Sequence, residues 1–328
     1  MSFWSLTPNV TQWTLIENIW KEPRAPYLLD EKPIQKLENS SRIKLATGFP
    51  SASTEYSVFL EKYFSKSSDW ILQLPPDLIE NGIRLLKWVS VEARTNDGQL
   101  IGVIFSIPFD EFYAPGFQGS PLRNLGLVDY FCVHPSWRRS GVGTALLHKL
   151  FATTKLFGRK AHIFASEGSI FTLFHKIPPF VKNSYIWRER LTETAGLSSI
   201  SISRFEELPY KIPDNSKIFV GTNTKTVGTT DIIVLTAPIA PTAPIAYVLI
   251  KPTYELKNNK HVGEVIAWWE SQSGLCDSML DSLKIFDVYV APSHFQQTKK
   301  WNKGATFAYY AFHFNPSQFD GKQFIRLF

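Results

Sequence analysis

The sequence has little cysteine and no long apolar run. Its 328 residues include only two cysteines, Cys132 and Cys276, which lie far apart and outside any C-x-x-C or His/Cys cluster. This pattern argues against a disulfide scaffold and against a metal site. No stretch approaches the roughly 18 to 20 consecutive apolar residues of a membrane span, and residues 1–4 lack the layout of a secretory signal. The sequence therefore predicts a cytoplasmic protein with no transmembrane segment, for which only transient membrane contact stays open.

Motifs for nucleic-acid binding are missing as well, although the formal net charge is +6. The basic excess lies in residues 151–328, where the lysines are scattered, and no RNA-recognition, zinc-finger or helix-turn-helix signature accompanies them. We therefore expect no nucleic-acid partner. Hydrophobic residues make up 44% of the chain and aromatic residues 14%, which is enough for large cores and excludes general disorder.

The first half of the chain predicts a mixed sheet with one well-defined helix. Residues 1–50 form an extended, proline-containing arm, and residues 56–64 are amphipathic. Two apolar runs, 86–94 and 100–108, flank the turn signal Asn96-Asp97-Gly98 and predict a hairpin. A third strand over 125–133, a helix over 142–157 that ends before Gly158, and a strand over 161–165 follow. The predicted buried face of the helix comprises Ala145, Leu146, Leu150 and Phe157.

The second half repeats this order more loosely. Strands are predicted over 231–235, 246–250, 264–269 and 287–291, with a helix carrying Cys276, Met279, Leu280 and Leu283 before the last of them. Three prolines in residues 237–245 favour an extended loop there. The expected fold class is α/β (α+β), with two tandem halves, 51–190 and 191–328, each a mostly antiparallel sheet flanked by helices.

The most informative motif is Arg138-x-x-Gly141-x-Gly143, which lies between a predicted strand and a predicted helix. Glycines at such a place let backbone N–H groups turn inward at the positive end of the helix, which suits a pyrophosphate. The motif resembles the acyl-CoA site of GCN5-related N-acyltransferases (GNAT). It implies that each half has a GNAT-like sheet and that the first half binds acyl-CoA.

Further blocks, in the same order, resemble eukaryotic N-myristoyltransferases, which belong to the GNAT superfamily. Tyr130-Phe131-Cys132-Val133-His134 is similar to that family's Phe-Leu-Cys-Val-His, and Phe3-Trp4-x-x-x-Pro8 to its Phe-Trp-x-x-x-Pro. Leu100 to Pro108, Phe286 to Tyr289 and Tyr309 to Phe314 resemble three more of its blocks.

The resemblance implies transfer of a myristoyl group from myristoyl-CoA to the α-amino group of an N-terminal glycine, by direct attack of the amine on the thioester. The expected enzyme is a monomeric acyltransferase that serves lipoprotein biosynthesis, takes glycine peptides or proteins as partners and needs no metal. Its implied catalytic groups are the backbone N–H groups of Tyr130 and Phe131, as an oxyanion hole, and the terminal carboxylate of Phe328, as the base. The aromatic residues of 307–314 could desolvate that carboxylate and raise its pKa.

The resemblance also implies the binding residues. Those for the acyl-CoA are Phe3, Trp4, Val133, Arg138, Arg139, Ser140, Gly141, Val142, Gly143 and Thr144. Those for the substrate peptide are Ser166, His175, Tyr309 and Tyr310, and for these a packing role is an equal alternative.

Two departures from the family leave alternatives open. Residues 139–144 are closer to ordinary acetyltransferases, which puts the acyl length in doubt, and residues 303–306 lack the family's acid before the Tyr-Tyr block. The alternatives are an N-acetyltransferase using acetyl-CoA and a catalytically inactive homologue that binds acyl-CoA or peptide. Asp110-Glu111, beyond Pro108, is interpreted as a solvated loop edge, and Cys132 with His134 lacks a third group for a catalytic dyad.

Overall fold

The computed structural model describes residues 43–65, 69–112, 122–159, 161–167, 181–191, 201–204, 233–240, 243–293, 295 and 300–312. Within these ranges no helix is both long enough and apolar enough to cross a membrane.

The first half is a five-stranded sheet with helices on both faces. Its strands are β1 (Ile43–Thr47), β3 (Val89–Thr95), β4 (Leu100–Phe112), β5 (Leu122–Val133) and β6 (Ala161–Glu167), and β2 (Trp70–Leu72) lies apart from them. Neighbours in this order are antiparallel except β5 and β6, which are parallel. The predicted hairpin of β3 and β4 is confirmed, and its turn places Gly98 at φ 92° with its N–H donating to Thr95 O at 3.0 Å.

Helices α1 (Ser53–Tyr63) and α2 (Pro76–Arg84) cover one face of this sheet, and α3 (Val142–Leu156) covers the other. Helix α1 buries Tyr56, Phe59 and Leu60, which recur at helical spacing. Helix α3 buries Ala145, Leu146 and Leu150 as predicted. Phe157, however, is 67% exposed, so its predicted place on the buried face is wrong. The helix ends at Leu156, and the following residue leaves the helical repeat.

The second half repeats the same order of elements. Its strands are β8 (Ser201–Arg204), β9 (Ile233–Ala240), β10 (Ala243–Lys257), β11 (Lys260–Glu270) and β12 (Val288–Pro292). Again all neighbours are antiparallel except the last pair, β11 and β12. Helix α4 (Leu275–Ser282) connects that pair and buries Cys276, Met279 and Leu280, as the helical spacing predicted.

Two central strands join the halves into one continuous sheet. Strand β13 (Asn302–Phe312) pairs with β6 and with β7 (Val181–Glu189), and β7 pairs with β12. The sheet order β1-β3-β4-β5-β6-β13-β7-β12-β11-β10-β9-β8 is therefore nearly symmetric about its centre. This arrangement confirms the predicted fold class of two tandem mixed sheets flanked by helices.

Two local expectations are wrong. Residues 237–245 contain the ends of β9 and β10, which pair at Ala240–Ala243 and Pro238–Pro244 with an irregular register, instead of an extended loop. The pairing of β8 covers only residues 233–236 of β9, so Pro238 lies where no N–H is needed for that neighbour. Asp110 and Glu111 likewise belong to β4, where Glu111 lies opposite Arg123, instead of a loop.

Candidate active site

The site begins where the parallel strands β5 and β6 separate. Their register runs from Leu125–Ala161 to Val128–Phe164 and ends there, while β6 continues along β13. Two residues beyond the last pair lie Tyr130 on β5 and Ser166 on β6. The backbone therefore opens a cleft between the strands at the level of Tyr130.

A bulge at Tyr130 and Phe131 forms one wall of this cleft. On β4, Val103 and Phe105 lie opposite Cys132 and Asp129, so that the single residue between them faces two residues of β5. Tyr130 has a positive φ of 46°, an unusual conformation for a bulky residue. Its ring lies 5.9 Å from Phe105 and 6.2 Å from Trp88, between centroids, which holds the strained residue in place. The bulge thus breaks the ladder where the sequence predicted an oxyanion hole.

The sequence reasoning missed Asp129, which the structure adds to the site. The N–H of Tyr130 donates to Oδ1 of Asp129 at 2.8 Å. A predicted oxyanion-hole donor is therefore held by the carboxylate that precedes it. The only sequence signal was an acid directly before the Tyr-Phe pair, and its contact depends on the positive φ of Tyr130.

The predicted phosphate loop adopts two left-handed residues, Arg139 at φ 66° and Gly141 at φ 91°. Gly141 is the N-cap of α3, and Ser140 Oγ donates to Trp137 O at 2.6 Å, which closes the turn. In the described part of the chain, no side chain accepts from the N–H groups of residues 141–144. Alternating left- and right-handed residues at a helix start form an anion-binding concavity, so this loop fits a pyrophosphate.

Arg138 holds the loop in place by its side chain. Its Nε donates to Val133 O and its Nη2 to Tyr63 O, each at 3.1 Å. The guanidinium therefore ties the end of β5 to the end of α1. This leaves anion binding to the main-chain N–H groups, as the sequence analysis expected.

Gly143 connects the loop to the bulge. A Cβ atom at this position would lie 3.1 Å from Cζ of Phe131, whose ring lies across the first turn of α3. The Phe131 side chain is 40% exposed at this place. The second glycine of the motif thus makes room for the aromatic ring of the second bulge residue.

The other wall of the cleft is formed by β6 and β13. Ser166 lies opposite Ala308, and Tyr309 and Tyr310 lie opposite Ala165 and Phe164. The backbone therefore brings these three predicted substrate residues to the cleft, although only their strand positions are described. Phe3, Trp4, His175 and Phe328 lie outside the described residues.

Cys132 and His134 do not form a nucleophilic pair. Cys132 is buried in the first core, and this burial raises the pKa of its thiol to about 12. His134 accepts a hydrogen bond at Nδ1 from the N–H of Ser136 and packs its ring against Tyr63. Both residues therefore have structural roles. In the ranges that the structure describes, no three His, Cys, Asp or Glu side chains are grouped to hold a metal ion.

Comparison with protein families identifies the class of this domain. Residues 56–168 match the model of the Acetyltransferase (GNAT) family. This segment runs from α1 through β6 and includes the bulge, the left-handed loop and α3. It is an acyltransferase domain of that family. A comparison of the whole sequence with curated proteins finds no significant match.

Solved structures extend the similarity to almost the whole chain. N-myristoyltransferase from Saccharomyces cerevisiae with bound myristoyl-CoA matches with a TM-score of 0.62 over 89% of this chain and 91% of that chain, at 12% identity. A second structure of that enzyme with myristoyl-CoA matches with a TM-score of 0.61 over 92% and 89%, at 10% identity. The glucosamine N-acetyltransferase region of a fungal GH3 β-N-acetylglucosaminidase gives 0.50 over 84% of this chain and 38% of that one, at 11% identity. The expected resemblance to N-myristoyltransferases is thus confirmed as a shared fold.

Proposed function

We propose that this protein transfers a myristoyl group from myristoyl-CoA to the α-amino group of an N-terminal glycine. The observation that carries the proposal is the pairing of the Tyr130–Phe131 bulge with the left-handed loop at the start of α3. This pairing supplies a place for a thioester carbonyl beside a place for the CoA phosphates. It occurs in a fold shared with an enzyme whose structure holds myristoyl-CoA.

In this proposal the loop of residues 138–144 holds the CoA phosphates through its main-chain N–H groups. The N–H groups of Tyr130 and Phe131 bind the carbonyl oxygen of the thioester and stabilise the charge that develops there as the amine attacks. Loss of one such donor typically costs about 3 to 4 kcal/mol of barrier. The glycine amine forms the new amide bond, the carbon–sulfur bond breaks, and the thiolate leaves with CoA.

Asp129 must release the N–H of Tyr130 before this N–H can bind the carbonyl. The carboxylate then lies beside the reacting centre and can accept the proton that the amine loses. We therefore propose Asp129 as a second candidate base, next to the terminal carboxylate of Phe328 that the family resemblance implies.

Two variants separate these bases. Asp129→Asn keeps an oxygen that can accept from Tyr130 but removes the basic group, and a glycine added after Phe328 moves the terminal carboxylate. Loss of the true base is expected to lower the single-turnover rate by about 10² to 10⁴. The variant that retains the base should change this rate less than about tenfold.

The second candidate function is N-acetyl transfer from acetyl-CoA. It is favoured by the loop itself, because Gly141 and Gly143 fall within the segment that matches the acetyltransferase family. Bulge and loop would act in the same way, and only the acyl chain and the acceptor would differ. Location in the cytoplasm, a monomeric state and a role in lipoprotein biosynthesis belong to the first proposal and share its test.

The deciding experiment is calorimetric binding of a non-hydrolysable myristoyl-CoA analogue, acetyl-CoA and free CoA to the full chain. Fourteen carbons buried at about 0.8 kcal/mol per methylene contribute on the order of 10 kcal/mol that an acetyl group lacks. We expect the myristoyl analogue to bind at least about a hundredfold tighter than acetyl-CoA. A glycine-peptide acylation assay with both donors then tests turnover.

Equal binding of the three ligands would contradict the myristoyl proposal and favour acetyl transfer. Tight binding of the myristoyl analogue with no turnover of any N-terminal glycine peptide would indicate an inactive acyl-CoA-binding homologue. Gly141→Ala serves as the control for the loop, since it should weaken all three ligands together.

A further inference from the structure

A second cavity lies at the opposite end of α3 from the left-handed loop. It has a volume of about 470 Å³, within the usual range for small-molecule sites. Since α3 has 15 residues, the two ends of the helix are roughly 22 Å apart. The cavity is lined by Thr47, Gly48, Ile83, Lys87, Trp88, Val89, Ser90, Phe157 and Arg159.

Two buried polar atoms among these lining residues have no partner within the described part of the chain. They are Nε1 of Trp88, a residue 6% exposed, and Oγ of Ser90, which is 1% exposed. Trp88 and Ser90 are two residues apart on β3, so their side chains lie on the same face of the sheet. A buried donor that stays unsatisfied is costly, which indicates that a ligand or water accepts from these groups.

The charge of the cavity wall is of one sign. Arg159 is 5% exposed, and its guanidinium is fixed by donating to Ser106 O and Ser106 Oγ and to Lys87 O, at 3.1 to 3.2 Å. Lys87 is exposed and contributes a second cation. None of the nine lining residues is acidic. The field in the cavity therefore favours an anion.

The remaining walls are apolar. Ile83, Val89 and the indole of Trp88 line the cavity, and Phe157 exposes 67% of its surface beside them. This exposed ring is the residue that the helical pattern had placed in the core. A ligand with an apolar body would cover it.

We propose that this cavity binds a small amphipathic carboxylate. Two neutral donors, Trp88 Nε1–H and Ser90 Oγ–H, match the two oxygens of one carboxylate, while Arg159 and Lys87 provide the complementary charge. The apolar body of the ligand packs against Ile83 and Phe157. The inference does not rest on the acyl-transfer proposal, because the cavity lies at the other end of α3.

The test uses 4-(trifluoromethyl)benzoate and its neutral amide as probes, followed by ¹⁹F NMR on the full chain. Saturating free CoA is present throughout, so that the left-handed loop is occupied. We expect the carboxylate to bind at least about tenfold tighter than the amide, because only the carboxylate is an anion. Equal affinities of the two probes, or no binding of the carboxylate up to about 10 mM, would overturn the proposal.

Variants then locate the probe. Ser90→Ala and Trp88→Phe each remove one donor and keep the bulk of the side chain, and each should weaken the carboxylate about five- to tenfold. Ser57→Ala is the matched control, because this buried hydroxyl donates to Leu74 O outside the cavity, and its affinity should stay unchanged. If the Ser90 and Trp88 variants bind the carboxylate as tightly as the unaltered chain, the probe lies elsewhere and the assignment is wrong.

Thermal unfolding separates a ligand site from a site for ordered water. Ser90→Ala removes an unpaired hydroxyl, so the unfolding temperature without probe should stay the same or rise. A lower unfolding temperature together with unchanged probe affinity would show that the hydroxyl binds structural water and would contradict the proposal.

Discussion

The β5–α3–β6 unit of the first half and the β11–α4–β12 unit of the second half have the same construction. Each pairs two parallel strands through a helix, and each helix begins after a left-handed glycine, Gly141 at φ 91° or Gly274 at φ 92°. A register shift near the end of the middle strand occurs in both units, at Tyr130 in β5 and between Val265 and Ala267 in β11. The backbone thus offers a potential anion site in both halves.

The two units differ in what occupies the start of the helix. In the second half, Glu270 accepts from the N–H of Gly274 at 3.1 Å and from the N–H of Cys276 at 2.8 Å. In the first half, two arginines precede Gly141, and no described side chain accepts from the corresponding N–H groups. One half therefore satisfies its helix start with its own carboxylate, while the other leaves it to an external anion.

The helices are also anchored differently. Helix α4 is tied to β7 by Arg188, which is 2% exposed and forms ion pairs with Asp277 at 2.9 Å and Asp281 at 2.6 Å. Helix α3 packs mainly through apolar side chains such as Leu146 and Leu150. The comparison indicates that the second half gave its anion site a structural function and the first half kept it for a ligand.

The largest expected effect comes from breaking the anchor of α4. Arg188→Met should lower the free energy of unfolding by about 3 to 5 kcal/mol, because it leaves two buried carboxylates without their cation. Urea denaturation measures this change. Lys260→Met is the control, since its pair with Glu189 is solvent-exposed and should contribute at most about 1 kcal/mol. Similar losses for both variants would contradict the anchoring role of Arg188.

Next in size is the removal of the internal anion of the second half. Glu270→Ala should cost about 2 kcal/mol, because two N–H groups lose a charged acceptor. It should also create an anion site, so added pyrophosphate should stabilise this variant more than the unaltered chain. Thermal unfolding with and without pyrophosphate measures both effects. Equal stabilisation of both proteins would show that the α4 start cannot act as an anion site.

A matched glycine pair sharpens the comparison further. Gly141→Ala and Gly274→Ala each force a side chain into a left-handed conformation, and each should cost about 1 to 2 kcal/mol of stability. Only Gly141→Ala should also weaken CoA, by at least about tenfold, since only that loop is open to a ligand. Calorimetric titration with CoA distinguishes the two variants. Equal CoA affinity of both would exclude the α3 start as the phosphate site.

The sequence predicted the site's backbone better than its side-chain chemistry. The strand, the glycine loop and the amphipathic helix were identified because hydrophobic periodicity and glycine positions are local signals. The contact of Asp129 with Tyr130 could not be predicted, since it depends on a positive φ at a tyrosine that surrounding aromatic rings stabilise. The capping role of Glu270 was missed for the same reason, because a carboxylate four residues before Gly274 carries no motif of its own.

The errors in the fold have tertiary causes. Prolines in residues 237–245 were interpreted as a loop, but strand pairing on one side of β9 tolerates them. Phe157 fits the helical repeat by spacing, yet the helix ends one residue earlier and the ring becomes exposed. Propensity gives the type of an element, whereas its last residue is decided by the neighbours it meets.

The smallest expected effect concerns the pH dependence of α3. His148 is buried in the middle of this helix, and burial lowers its pKa below the ordinary value. The unfolded chain therefore binds a proton at His148 that the folded chain resists, so this stabilising contribution is complete above about pH 6.5 and is lost as the pH falls through the lowered pKa. His148→Gln should flatten the fall in unfolding temperature between about pH 7 and pH 5, whereas His261→Gln, at an exposed position of the second half, should leave it unchanged. Parallel pH profiles for the His148 variant and the unaltered chain would show that the burial of this ring carries no proton linkage, and the pH sensitivity would then have to be assigned to groups that the two halves share.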